Sequence, residues 1–240
     1  MQNKKFMTLL VVNIVVVLLA VTAIILYFFP FTNGLTANEI YKQSLNNVVE
    51  VKAESESVGQ SFGTGVIISK DGSIITNAHV VTYSNASITT EFDRYSIRFA
   101  FEEEYRTVQL EKYDTNLDLA VLKLNDTRGL NLKPVKIGSL SKLKAGDTVY
   151  AVGNASNYGI GIFQGNISNP LINVVVNGVT RAVIQADVTV STGNSGGGLF
   201  NTKGELVGIT TFRLKDTSGS VVYGIVYSVP INIVVDFINT

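Results

Sequence analysis

Phe62-Gly-Thr-Gly-Val-Ile-Ile-Ser69, Lys70-Asp-Gly72, Ser73-Ile-Ile-Thr76 and Asn77-Ala-His79 follow one another without a break. Two short runs rich in Val, Ile, Phe and Thr flank a three-residue turn, which reads as a β-hairpin. Further runs of the same kind follow it: Tyr95 to Phe101, Leu117 to Leu124, Thr148 to Val152, Val174 to Val176, Ala182 to Ala186, Glu205 to Phe212 and Val221 to Val229. Thr202-Lys-Gly204 marks a second hairpin turn. No helical run of ten or more residues with a 3.6-residue period separates these segments, so the pattern predicts an antiparallel barrel or sandwich and excludes a parallel α/β sheet. The roughly 190 residues of strand-like sequence exceed what one small barrel needs. Lys123 to Ser141, with its Asn125-Asp-Thr-Arg-Gly129 turn and Pro134, reads as the connection between two barrels. Pro230 to Ile238 reads as a short terminal helix.

Ahead of the strands the composition changes. The chain is 46% apolar and 16% charged, yet much of that apolar excess lies in Phe6 to Phe29, where only Thr8, Asn13 and Thr22 are neither hydrocarbon nor aromatic. As a helix this run would be about 36 Å long, enough to cross a hydrocarbon core of about 30 Å. It lacks the shorter apolar core and cleavage site of a secretory signal, and reads as an uncleaved signal anchor. Lys4 and Lys5 precede it and no basic residue follows until Lys42. The positive-inside bias therefore places residues 1–5 in the cytoplasm and the remainder outside. Pro30 to Gly34 breaks the helix, and Thr36 to Leu45 reads as a short amphipathic helix capped by Thr36 or Asn38. The expected organisation is thus a cytoplasmic stub (1–5), an anchor (6–29), a linker with a short helix (30–46), a first barrel (47–130) and a second (131–240).

Composition also removes whole classes of function. Nineteen basic residues balance nineteen acidic ones, so no global field favours nucleic acid. The absence of cysteine excludes thiol catalysis, disulfide frameworks and thiolate metal sites. One histidine excludes a zinc site of several imidazoles, and no acidic loop of the calcium-binding kind occurs, so no cofactor and no metal is expected. Ser191-Thr-Gly-Asn-Ser-Gly-Gly-Gly198 is dense enough in glycine to turn successive N–H groups toward one point. Such a nest suits an oxyanion, although glycine content alone fits a surface turn equally well. Ser195 sits at its centre. The base available to it is His79, at the end of an apolar strand. A third group must orient that base: Asp118 is favoured because a carboxylate inside the apolar run Leu117 to Leu124 needs a partner. Asp114 and Asp187 are the alternatives, and Asp126 reads as a solvated turn residue.

Thr76-Asn-Ala-His79, Asp118-Leu-Ala-Val-Leu and Gly193-Asn-Ser-Gly-Gly197, in that order, resemble the trypsin-fold serine proteases, and most nearly the HtrA (Deg-type) family. Gly63 to Gly72, Ala145 to Asn154, Ile184 to Asp187, Gly204 to Ile209 and Tyr227 to Pro230 are similar as well. The resemblance implies an all-β fold of two antiparallel six-stranded barrels. It implies catalytic His79 and Asp118 from the first barrel and Ser195 from the second, with the N–H groups of Gly193 and Ser195 as oxyanion hole. HtrA proteases usually carry PDZ domains after the protease; ten residues after Pro230 leave no room for one. Gly198 also stands where that family commonly has proline or alanine.

These readings lead to a membrane-anchored serine endopeptidase acting on unfolded extracytoplasmic polypeptides, with bacterial origin and a homotrimeric state expected from the family. Thr189, six residues before Ser195, is not the carboxylate that cleavage after Lys or Arg requires. By resemblance Ile225, Val226 and Tyr227 would wall a pocket for small or medium aliphatic side chains. A catalytically silent peptide-binding module with the same fold and an esterase using the same triad are the competing readings.

Overall fold

The computed structural model describes residues 2–28, 34–85, 88–176, 178–215 and 221–240. The chain divides into two units, Met1–Gly34 and Leu35–Thr240. In the first, helix α1 (Gln2–Phe28) contains a 23-residue stretch, Asn3–Ile25, with a mean hydropathy of 2.9, long and apolar enough to cross a membrane. The three polar side chains between Phe6 and Ile25 bond back onto the helix: Thr8 to the Lys4 carbonyl (2.9 Å), Asn13 to Leu9 (2.9 Å) and Thr22 to Leu18 (2.7 Å). With their donors satisfied inside the helix, these residues cost little in an apolar surrounding. The expected helix break at Pro30 falls mostly on 29–33, outside the described residues.

The second unit begins with α2 (Ala37–Ser44), opened by a reciprocal Thr36–Glu39 capping box, as the polar residue at 36 predicts. Ile40 on its inner face is 1% exposed.

The first sheet is a closed barrel of six strands in the order β1-β2-β3-β8-β7-β6. They are β1 (Val48–Ser55), β2 (Gly59–Ile67), β3 (Ser73–Thr76), β6 (Arg94–Phe99), β7 (Arg106–Asp114) and β8 (Leu119–Leu124). A one-turn helix, α3 (Ala78–Val81), follows β3 directly, and β4 (Thr82–Asn85) pairs with β5 (Ile88–Glu91) as a separate ribbon.

The second sheet has seven strands in the order β13-β10-β11-β12-β15-β14-β9, and a β13–β14 pairing closes six of them into a ring. These are β9 (Lys136–Ile137), β10 (Thr148–Gly153), β11 (Gly161–Val176), β12 (Val179–Ala186), β13 (Gly198–Asn201), β14 (Glu205–Lys215) and β15 (Val221–Pro230). The added strand β9 runs parallel to β14, the one departure from antiparallel pairing among the described strands. Helix α4 (Ile231–Asn239) ends the chain.

Three apolar clusters organise this unit. One fills the first barrel around Ile67, Ile74, Ile97 and Leu122, and another fills the second around Val149, Ile184 and Leu199. The third lies between the barrels and joins Ile75 and Leu119 of the first to Val152, Phe200 and Ile209 of the second, with Ile40 from α2 and Val234 and Phe237 from α4. The third cluster packs the barrels against each other, and the loops at their junction inherit that rigidity.

The sequence reading misses several strands. β1 and β7 carry Glu50, Lys52, Gln109, Glu111 and Lys112, and the β4–β5 ribbon is hydroxyl-rich, so none reads as an apolar run. Val174 to Val176 proves to be only the end of β11, whose earlier residues alternate between half-buried and exposed faces.

Candidate active site

His79 is the second residue of α3, delivered by the abrupt change from strand to helix after Thr76. Asn77, fully buried at that change, donates from its side-chain amide to the backbone carbonyl of Asp118 at 2.8 Å. The first barrel thereby ties its histidine turn to its aspartate turn before either side chain contributes.

Asp118 stands just before β8, where the sequence pattern suggested that it lies inside the strand. Its φ is +56°, a left-handed conformation that Asp tolerates better than most residues. The turn is capped by Asp114, whose carboxylate accepts the N–H groups of Asn116 (2.7 Å) and Leu117 (3.0 Å). Turned this way, the Asp118 carboxylate faces His79. Nδ1 lies 3.0 and 2.9 Å from its two oxygens, and the His79 backbone N–H donates to Oδ1 at 3.1 Å. The Thr211 hydroxyl, from β14 of the second barrel, donates to Oδ2.

Burial pushes the Asp118 carboxyl up, but the hydrogen bond and charge of His79 and the Thr211 hydroxyl outweigh it and hold the group below the usual carboxylate range. Because the folded value is depressed, the stability this gives is present above the ordinary Asp value of about 3.9 and is lost as pH falls through the folded value. The difference in Tm between the parent chain and Asp118→Asn is accordingly expected to be largest near neutrality and to shrink as thermal unfolding is followed below about pH 4.

Ser195 is half-buried at the start of the Gly196–Gly198 run. Two glycines before and after it meet demands no other residue meets. Gly193 (φ +96°) and Gly196 (φ +84°) are left-handed, and a Cβ on either would overlap backbone, at the Asn154 carbonyl and the Thr64 carbonyl respectively. Among the described residues the N–H groups of Gly193 and Ser195 have no acceptor, whereas those of Asn194, Gly196 and Gly197 bond to Ser191, Thr210 and Asn194. The Ser156 N–H donates to the Thr192 carbonyl at 2.6 Å. In a trans peptide this turns the Gly193 N–H to the opposite side. The Ser195 hydroxyl donates to the Thr211 carbonyl at 3.1 Å.

Thr64, on β2 and fully buried, was not singled out by the sequence. Its hydroxyl donates to the Gly193 carbonyl (2.7 Å) and accepts the Asn154 N–H (2.8 Å), while its own N–H donates to the Ser195 carbonyl (2.8 Å). The first barrel thus grips the nucleophile loop on both sides of Asn194. A hydroxyl between two glycines inside an apolar strand, Gly63-Thr-Gly65, was the signal available. Thr64→Val keeps the volume but leaves the Gly193 carbonyl and the Asn154 N–H unpaired in a buried place. Unfolding and steady-state kinetics should show a loss of about 1–3 kcal/mol in stability and a fall of about 10- to 100-fold in kcat for any reaction that uses this loop.

The alternative carboxylates have other employment. Asp114 caps its turn, the exposed Asp187 accepts the Asn166 N–H, and Asp126 pairs with Arg128 at 2.7 Å. Of the residues expected to shape specificity, Thr189 is exposed, Ile225 is half-buried, and Val226 and Tyr227 are buried, with the Tyr227 ring 5.1 Å from that of Phe212. Among the described residues there is no group of three or more His, Asp or Glu side chains able to hold a metal ion.

Comparison with known proteins identifies the family to which this fold belongs. Residues 63–209 match the model of the trypsin-like peptidase domain. The serine endoprotease DegS of Haemophilus influenzae is 34% identical over 201 residues, 83% of this chain and 55% of its own length. A probable periplasmic DegP-like serine endoprotease of Pseudomonas putida is 34% identical over 188 residues, 78% of this chain and 36% of its own. The chain thus spans about half or less of the curated relatives it matches. The solved HtrA-type protease AlgW with tripeptide superposes with a TM-score of 0.73 and 26% identity, covering 85% of this chain and 62% of that one.

Proposed function

The chain belongs to the trypsin-like peptidase family, in its HtrA branch, and from that premise we propose that it is a serine endopeptidase with His79, Asp118 and Ser195 as its triad. The observation that carries the reading is the pair of Nδ1–carboxylate contacts at 2.9 and 3.0 Å. Because an ionised carboxylate only accepts, these contacts favour the tautomer with its proton on Nδ1 and a lone pair on Nε2, the form a general base must have. The reaction requires the Ser195 hydroxyl to leave the Thr211 carbonyl and turn to Nε2, where it gives up its proton and attacks the substrate carbonyl. The oxyanion is taken by the N–H groups of Gly193 and Ser195, which have no competing acceptor among the described residues. Nε2 returns the proton to the leaving amine, and a water repeats the sequence on the acyl-enzyme. Asp118 stays ionised throughout, which its buried but fully bonded position favours.

The apolar α1 supports a single membrane span, with Lys4 and Lys5 on the cytoplasmic side and residues 35–240 outside as two barrels divided near residue 130. Unfolded extracytoplasmic polypeptides are the substrates this placement offers. The purified chain should degrade reduced, unfolded casein, and Ser195→Ala should bring degradation to background; a Ser195→Ala protein as fast as the parent overturns the mechanism.

One observation favours a second reading. The Ser195 hydroxyl rests on the Thr211 carbonyl, as it would in a module that binds peptides without cleaving them. Peptide binding with no cleavage and no reaction at Ser195 would select that reading.

A further inference from the structure

The cleft beside His79 contains a positive charge for which the hydrolytic steps have no use. Arg181 lies on β12, paired with Val174 across the β11–β12 ladder. It lines the same cleft of about 390 Å³ as His79, Asp118, Thr211 and Phe212. One arm is occupied: Nη2 donates to the backbone carbonyl of Thr115 at 2.8 Å, which fixes the guanidinium against the turn that carries Asp118. The rest is not. Nε is buried with no acceptor, and no carboxylate pairs with Arg181 among the described residues. Asp118 shares the cleft, but its oxygens are taken by His79 and Thr211. The remaining polar lining, such as Ser84, Thr89 and Thr115, is uncharged.

A guanidinium fixed in place, with an unpaired N–H and no internal counter-ion, is a ready donor to an incoming carboxylate. A buried donor left unpaired costs free energy that an incoming acceptor removes. We infer that Arg181 forms an acidic subsite in the substrate cleft, holding the Asp or Glu side chain of a polypeptide a few residues from the bond to be cleaved. This rests on the endopeptidase reading and narrows it, since it selects among polypeptides by a negative charge near the scissile bond.

The test uses peptides blocked at both ends and built around a mapped casein cleavage site. Glu and Gln are compared at each of the four positions on either side of the bond. At one position Glu should exceed Gln about 5- to 10-fold in kcat/KM, the scale of one charge-assisted contact in a partly open cleft, and 0.5 M salt should shrink the ratio. Arg181→Gln should bring that ratio to about one, Arg181→Lys should keep part of it, and Arg181→Glu should make Lys the preferred residue there. If Arg181 only braces the Thr115 turn, its variants slow all peptides alike and leave every ratio as it was, which overturns the subsite. The Glu/Gln ratio and its salt dependence in the parent chain decide the matter even if a variant fails to fold: no preference at any position, in protein whose Ser195 still reacts with a fluorophosphonate, overturns the subsite alone. Protein that neither cleaves nor reacts overturns the endopeptidase reading and the subsite with it.

Discussion

Asp118→Asn is expected to lower kcat by about 10⁴-fold, the size of effect that loss of the correct histidine tautomer has in a Ser-His-Asp triad, with much less change in KM. The Thr211 hydroxyl and the His79 backbone N–H are both donors aimed at this side chain. They address different oxygens of the carboxylate; an asparagine keeps its one oxygen toward the backbone N–H, which can only donate, and so sets its NH₂ group in the place of Oδ2, against Nδ1 and the Thr211 hydroxyl. Nδ1 becomes an acceptor, the imidazole proton moves to Nε2, and the atom that should remove the Ser195 proton already carries one. Raising the pH removes protons from neither group usefully, so the loss should persist across the alkaline range. Steady-state kinetics on a blocked peptide from pH 6 to 9 checks this. A variant within tenfold of the parent would mean that Asp118 does not set the tautomer.

Gly193→Ala should cost about 10²- to 10³-fold in kcat, the range for one oxyanion donor, through backbone geometry alone. At φ +96° an alanine is strained, and its Cβ would overlap the Asn154 carbonyl. The loop relieves both by rotating the 192–193 peptide, which breaks the Ser156–Thr192 bond of 2.6 Å and carries the Gly193 N–H away from the substrate carbonyl. The imidazole and its carboxylate are untouched, so reaction rates at Ser195 with small electrophiles should fall much less when they do not depend on that N–H. Comparing peptide turnover with the rate of such a reaction separates a lost oxyanion donor from a collapsed site.

What the sequence made legible, and what it hid, follows from how each residue is held. Apolar strands such as Ile74–Thr76 and Leu119–Leu124 announce themselves because both faces are buried. His79, Asp118 and Ser195 stand out by being chemically costly in such surroundings: a carboxylate beside an apolar run, a lone histidine at a strand end, a serine amid glycines. β1 and β7 are hidden because Lys, Glu and Gln occupy their outward positions, and only pairing with β2, β6 and β8 makes them strands. Thr64 and Thr211 are hidden for a different reason. A threonine in a β-type run is ordinary, and the role of these two depends on a carbonyl 129 positions away and a carboxylate 93 positions away. Such cross-barrel bonds are properties of the docked barrels. Arg181 is illegible in the same way: its lack of a counter-ion among the described residues is a fact about its neighbours.

The central claim is that His79 makes Ser195 a nucleophile. It is tested most directly by labelling the purified chain with a fluorophosphonate and locating the adduct by mass spectrometry. Ser195 should be the modified residue, and His79→Ala and Asp118→Asn should both slow the labelling by orders of magnitude while leaving the protein folded. Folded parent protein that is never modified at Ser195, or His79→Ala protein labelled as fast as the parent, would contradict the account.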